Sequence, residues 1–263
     1  MKNILILSLF VTFFSHSQAQ ISYGGEPISN KLGVSINKAI PTLMMPSFDQ
    51  NVLDIEDAVN DLQKDIPWRF GFNHMVNINP QNSGLWEDLG KGGKLWRLRI
   101  ESPGAKTINL TFNKYYLPEG AKLFIYNDDK SEVLGALTNQ NNKATMDLGT
   151  TLLSGDAIIL EYFEPKNVSF EAQLNISKVT HGYRKLLNSP NIEKGFGSSG
   201  SCNNNVICPE GLPWDKQIRS VAVIVVNGNE NCTGALLNNT CEDETPYFLT
   251  ADHCLGGSVS TWV

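Results

Sequence analysis

From about Leu95 to Tyr183 the chain takes a period of two, and that period narrows the folds open to it more than any other feature. Trp96, Leu98 and Ile100 alternate with Leu95, Arg97 and Arg99, and Ile108, Leu110 and Phe112 alternate with Asn109 and Thr111. Leu123 to Tyr126, Ala157 to Phe163 and Phe170 to Ile176 continue the pattern. Turn formers separate the runs: Ser102-Pro103-Gly104, Pro118-Glu119-Gly120, Asn127-Asp128-Asp129 and Ser154-Gly155-Asp156. Successive side chains of a strand point to opposite faces, so each run buries one face against a partner sheet. Several short strands at this spacing predict a mainly β chain with an antiparallel β-sandwich over residues 66–184. Trp86, Trp96, Tyr115 and Tyr116 would line a sugar site if the sandwich were a binding module. At alternating strand positions such aromatics are expected in the core or at sheet edges instead. His74 and His181 are isolated in the sequence and read as structural. The Asn-x-Ser/Thr sites at Asn109, Asn167 and Asn175 would mean little if the host were bacterial.

The chain ahead of the sandwich divides into two parts. Lys2, the apolar run Ile4 to Phe14 and the small-x-small Ser17-Gln18-Ala19 form a secretory signal over residues 1–19, with cleavage expected between Ala19 and Gln20. The run is too short to be read as a membrane-spanning helix, so no membrane association is expected once the signal is removed. Residues 20–65 form a leader and a helix. Gly24-Gly25, Pro27, Pro41 and Pro46 predict an irregular, exposed leader. From Asp49 to Asp65, Val52, Ile55, Val59 and Leu62 recur at helical spacing, with Leu53 and Ala58 widening the face, and Pro67 closes the segment. A core-facing helix is expected there. With 41% hydrophobic and 18% charged residues the chain is globular in balance. A net charge of −6 and the lack of a Lys/Arg run give no basis for nucleic-acid binding.

All five cysteines lie after residue 200. An exported chain oxidises its thiols, so disulfides are expected over metal ligation. The spacings Cys202-x5-Cys208 and Cys232-x8-Cys241 also differ from the short pairs of structural zinc sites, so no metal is expected. Ile218 to Val226 is a nearly continuous β run, Asn227-Gly228 turns it, and Cys232-Thr233-Gly234-Ala235-Leu236 reads as the next strand. Tyr247-Phe248-Leu249-Thr250-Ala251-Asp252-His253-Cys254 then delivers a histidine beside a cysteine. A disulfide from Cys232 to Cys254 would close the two strands into a clip. It would add roughly 3 kcal/mol by restricting the unfolded chain. A histidine fixed at the mouth of that clip suits proton transfer near neutral pH.

Leu-Thr-Ala-Asp-His-Cys at 249–254, preceded by Cys-Thr-Gly-Ala-Leu at 232–236, resembles the catalytic-histidine segment of chymotrypsin-type serine proteases. Within that group it most resembles the secreted bacterial lysyl endopeptidases. Gly200-Ser201-Cys202-Asn203 and Val206-Ile207-Cys208-Pro209-Glu210-Gly211 are similar to the start of their mature enzyme. Glu56-Asp57 followed by Pro67-Trp68-Arg69-Phe70-Gly71 is similar to their pro-region, a segment that assists folding and restrains the enzyme. The resemblance implies a serine endopeptidase precursor without a cofactor, acting on protein or peptide substrates outside the cell, with its pro-region as partner of its own protease domain. His253 is then the catalytic base. Residues 185–200 become a linker carrying the maturation bond, Lys194–Gly195, and residues 201–263 the first part of a chymotrypsin-like barrel.

The same resemblance places the orienting aspartate and the nucleophilic serine on segments after those present, and Cys202 and Cys208 pair with later cysteines. Cys241 has no counterpart in the pattern. Asp252 is not expected to orient His253, since neighbours on an extended run point apart. The 263 residues are therefore expected to be inactive alone, with preference for lysine, arginine or a broader set left open. Two other readings are carried: a secreted sandwich binding a glycan or protein, with a vestigial protease tail, and a pro-region inhibiting a related enzyme in trans.

Overall fold

The computed structural model describes residues 22–30, 39–63, 65–184, 206, 208–241, 243, 245–254 and 259–262. The signal segment with Ala19–Gln20, the linker with Lys194–Gly195, and Cys202 lie outside the described residues.

The alternating runs fold as strands. In chain order these are β1 (Thr42–Met44), β2 (Trp68–Arg69), β3 (Gly71–Ile78), β4 (Leu85–Asp88), β5 (Lys94–Glu101), β6 (Thr107–Tyr116), β7 (Lys122–Asn127) and β8 (Val133–Leu137). They continue as β9 (Leu148–Gly149), β10 (Leu153–Ser154), β11 (Ala157–Glu164), β12 (Gln173–Gly182), β13 (Val221–Val226), β14 (Glu230–Leu237), β15 (Tyr247–Thr250) and β16 (Val259–Trp262). Helix α1 spans Gln50–Asn60 and α2 spans Asp215–Ser220.

Two sheets face each other. One has the order β1-β5-β11-β7-β8, with β4 sharing the edge of β5 that β1 also uses. The other has the order β10-β6-β12-β3, with β9 on the same edge of β6 as β10. Among the described strands only β1 runs parallel to its neighbour. Trp96, Leu98 and Ile100 of the first sheet meet Ile108, Leu110 and Phe112 of the second in one core. The alternation read from the sequence is thus the inner faces of a sandwich. A third sheet, β15-β14-β13-β16, joined by β2, follows as an open sheet and not as a closed barrel.

Three local expectations are corrected. The leader is not simply exposed. Ser29 N donates to the fully buried Glu161 carboxylate at 3.0 Å, Tyr23 N donates to Ala136 O at 3.1 Å, and Pro27 and Ile28 are buried. With Ile40 packed on Phe124, Tyr126, Ala136 and Ile159, the leader covers the outer face of the first sheet. That cover explains why β11 is apolar almost throughout.

Helix α1 is shorter than its pattern and turned the other way. Asp49 caps it by accepting from Asn51 N at 3.0 Å. Val52, Ile55, Val59 and Leu62 are exposed, while Leu53 and Asp57 are buried. Burying an ionised carboxylate demands paired partners, and these fix the helix by its acidic side instead of its apolar one. The β run beginning at Ile218 is also shorter, because Ile218 belongs to α2, whose Asp215 and Arg219 pair at i,i+4. Among the described residues no helix is long and apolar enough to cross a membrane.

Candidate active site

The third sheet is built by β13 and β14 as an antiparallel hairpin, Val221↔Ala235 through Val226↔Glu230, with β15 paired to Gly234–Leu237. Gly234 leaves no room for a Cβ against the Phe248 ring and the Leu249 carbonyl, so glycine is what lets β15 close on β14. Thr250 Oγ1 donates to Thr233 O at 2.8 Å and ends the pairing. The chain then leaves the strand. Asp252–Cys254 form one 3-10 turn, with Cys254 N donating to Ala251 O at 3.0 Å. The extended run expected through His253 therefore stops at Thr250.

Cys254 is joined to Cys232 by a disulfide across a Cα separation of 6.1 Å. Both cysteines are buried with Ile224, Val226 and Phe248. His253, half-buried, lies between them in sequence and against them in space: its nearest ring nitrogen and the two sulfurs lie within 4.8 Å of one another. The sulfurs are spent in the disulfide, so this group is a braced histidine and not a thiolate cage. Asp252 is exposed. Among the described residues Cys208 and Cys241 form no disulfide.

The β14 edge has a second occupant. β15 covers Gly234–Leu237, and past Thr250 its continuation turns away. Beyond Cys232 and Thr233, at Asn231 and Glu230, β2 takes the edge, with Trp68↔Asn231 and Arg69↔Glu230. A strand from the sandwich side of the chain therefore lies next to the disulfide that braces His253.

That strand is held by α1 and the end of β12. Arg69 Nε donates to the buried Asp57 carboxylate at 2.8 Å, Tyr183 Oη donates to the same carboxylate at 2.7 Å, and Arg184 approaches it at 3.4 Å. Arg184 also donates to Arg69 O at 3.1 Å and lies over the Trp68 ring at 4.7 Å. Burial, then the bond to Asp57, pushes the Tyr183 phenol above its ordinary pKa, so it stays protonated as a donor. Glu56-Asp57 and Trp68-Arg69, two separate stretches of sequence, are one network in space. Tyr183 and Arg184 completed it without any signal in their spacing.

His74 and His181, isolated in sequence, are brought together, with ring centroids 6.4 Å apart. Phe48 packs edge-on to both, and Ser102 Oγ lies 2.8 Å from His181 Nδ1. Burial lowers the His74 pKa, and burial followed by the charge of His74 takes His181 down to about 4. Both are neutral packing groups at neutral pH. Of the four aromatics weighed for sugar binding, Trp96 and Tyr115 are in the core. Trp86 stacks edge-on to Tyr162 at 5.9 Å, and Tyr116 lies 5.4 Å from Phe170.

Residues 196–263 match the family model for lysyl endopeptidase, C-terminal domain. A curated relative, lysyl endopeptidase of Pseudomonas aeruginosa, is 26% identical over 183 aligned residues, covering 65% of this chain and 39% of the relative. The chain thus spans well under half the length of that protein. It is lysyl endopeptidase-like, at low identity.

Proposed function

We propose that this lysyl endopeptidase-like chain is the N-terminal portion of a secreted serine endopeptidase precursor, with His253 as the catalytic base. The observation that carries the reading is a histidine braced by the Cys232–Cys254 disulfide at the end of β15, inside the segment that matches the lysyl endopeptidase model. In acyl transfer of this kind a serine hydroxyl attacks the peptide carbonyl while the histidine takes its proton. The histidine returns that proton to the departing amine, and water then releases the acyl group by the same route. An aspartate holds the ring, and backbone N–H groups stabilise the oxyanion. We assign neither the aspartate nor the serine to any residue of 1–263. Turnover by these residues alone is not expected.

The sandwich is read as the pro-region. Pairing of β2 with Glu230 and Asn231 supports a restraining role, because an extended peptide adding to that edge of β14 would compete with Trp68 and Arg69. Cleavage at Lys194–Gly195 would free the protease part, and the segment before Gln20 would direct export. Cleavage after lysine is the preferred specificity by similarity, and arginine is the alternative.

The test is hydrolysis of fluorogenic lysyl and arginyl peptides by the product of the complete reading frame, its His253→Ala variant, and purified 1–263. Loss of one triad member costs about 10⁴-fold or more in kcat. The reading expects that loss for His253→Ala and no turnover by 1–263. Undiminished hydrolysis by His253→Ala would overturn it.

A further inference from the structure

We propose that the outer face of the β3–β12–β6 sheet is a recognition socket for the turn Asn227-Gly228-Asn229, and that it holds the C-terminal hairpin without needing an intact chain between them. The proposal stands on the geometry of the contact and would survive failure of the hydrolysis reading.

Every carbonyl of the turn is read by the sandwich side. Asn227 O accepts from Asn73 Nδ2 and from Lys178 Nζ, each at 2.9 Å. Gly228 O accepts from Asn109 Nδ2 at 2.9 Å. Asn229 O accepts from the backbone N–H groups of Phe70 and Gly71, at 2.9 and 3.2 Å. The Asn229 side chain adds two bonds, accepting from Asn73 Nδ2 at 3.0 Å and donating to Gly71 O at 3.1 Å. Backbone carbonyls carry no sequence information, so what the socket reads is the shape that presents them.

That shape has an unusual requirement. Asn227 and Gly228 both have positive φ, 55° and 92°, a region that asparagine and glycine enter most readily. A Cβ on Gly228 would also press on Thr111 Oγ1 at 3.2 Å, Thr180 Oγ1 at 3.3 Å and Asn73 Oδ1 at 3.4 Å. The socket therefore excludes side chains at the tip of the turn both by conformation and by contact.

Its floor matches the turn. With the hairpin seated, Asn109 is only 2% exposed and Thr180 not at all, on strand positions whose neighbours Leu110 and Val179 fill the core behind. Polar side chains covered in this way are costly unless the covering segment also bonds them, which a turn of different shape would not do. Thr180 Oγ1 donates to Asn73 Oδ1 at 2.7 Å, which turns the Asn73 amide N–H groups toward the hairpin. Beside the polar contacts, Phe70, Leu152 and Val225 form an apolar cluster with Trp68 packed on it. The partner this surface fits is a β-hairpin with a left-handed Asn-Gly tip and an apolar strand leading into it.

The experiment replaces residues 191–196 with the site of a sequence-specific protease, folds the full chain, cuts it, and follows the two pieces by size exclusion at micromolar concentration. The expected result is co-elution, with at least tenfold weaker association for Lys178→Ala and separation for Gly228→Val. Because Gly228→Val also strains the turn itself, Lys178→Ala carries the test from the sandwich side without touching the hairpin. Asn113→Ala, on β6 but outside the socket, serves as the reference and is expected to leave association unchanged. Separation of the unmutated pieces, or undiminished association in Lys178→Ala, would overturn the proposal.

Discussion

The sandwich and the third sheet are both antiparallel β structure, yet they are stabilised in different ways. In the sandwich, Leu98, Ile100, Ile108, Leu110, Ile158 and Leu160 are all 2% exposed or less, packed between two sheets that bury each other's apolar faces. In the third sheet, burial depends on distance from the sandwich. Along β13, Val221 is exposed, Ala222 and Val223 are half-buried, and Ile224 to Val226 are buried as the strand nears the turn. Leu236, Leu237, Tyr247 and Leu249, toward the far end, are exposed. The lesson is that hydrophobic sequence alone does not make this sheet's core. Order is imposed at one end by the socket and β2, and in the middle by the disulfide.

The largest test of that contrast is a cavity in the sandwich. Leu160→Ala removes a fully buried side chain and is expected to cost about 2–5 kcal/mol. Thermal unfolding should show both regions destabilised, since the third sheet leans on the sandwich. Cys232→Ser with Cys254→Ser is expected to cost roughly 3 kcal/mol through the freed 22-residue loop. Here the effect should be one-sided, visible as protease cleavage within 221–254 while the sandwich transition stays in place.

Asp57→Asn removes the charge that Arg69, Tyr183 and Arg184 share, with an expected cost of about 1–3 kcal/mol. Its signature is faster exchange of β2 amides, because Arg69 and the cover over Trp68 lose their anchor. The smallest effect is in acid. His181 has a folded pKa of about 4, below its unfolded value of 6.5, so the unfolded state binds the proton first. Stability from this group is complete above pH 6.5 and is lost as pH falls toward 4. A His181→Gln variant should show a shallower fall of Tm over that window than the parent chain.

Legibility in the sequence differed between the regions for physical reasons. A period of two is a direct image of a two-faced sheet, so β5, β6, β7 and β11 could be read from their side chains. β3 and β8 could not, because Gly71 and His74 interrupt the first and Gly135 the second, and the four residues of β4 are too few to show a period. Helix α1 was legible as a helix but not in its orientation. Periodicity reports which face is apolar, whereas Asp57 was buried by partners that lie 12 and 126 residues away. Around His253 the sequence carried the Cys232–Cys254 pairing and the histidine beside it, the two parts of the candidate site that are seen in the structure. The docking of Asn227–Asn229 had no local signal beyond the Asn-Gly pair, since its donors come from strands distant in sequence.

The most direct test of the account is residue-resolved hydrogen exchange on the full chain, with and without Lys178→Ala. The claim is that the sandwich supplies the order at the turn end of the hairpin. It predicts amides of Val225, Val226 and Asn231 exchanging more slowly than those of Val221, Leu236 and Leu237, and this gradient collapsing in Lys178→Ala while β6 and β12 stay protected. Uniform protection along β13 and β14, or a gradient untouched by the substitution, would contradict it.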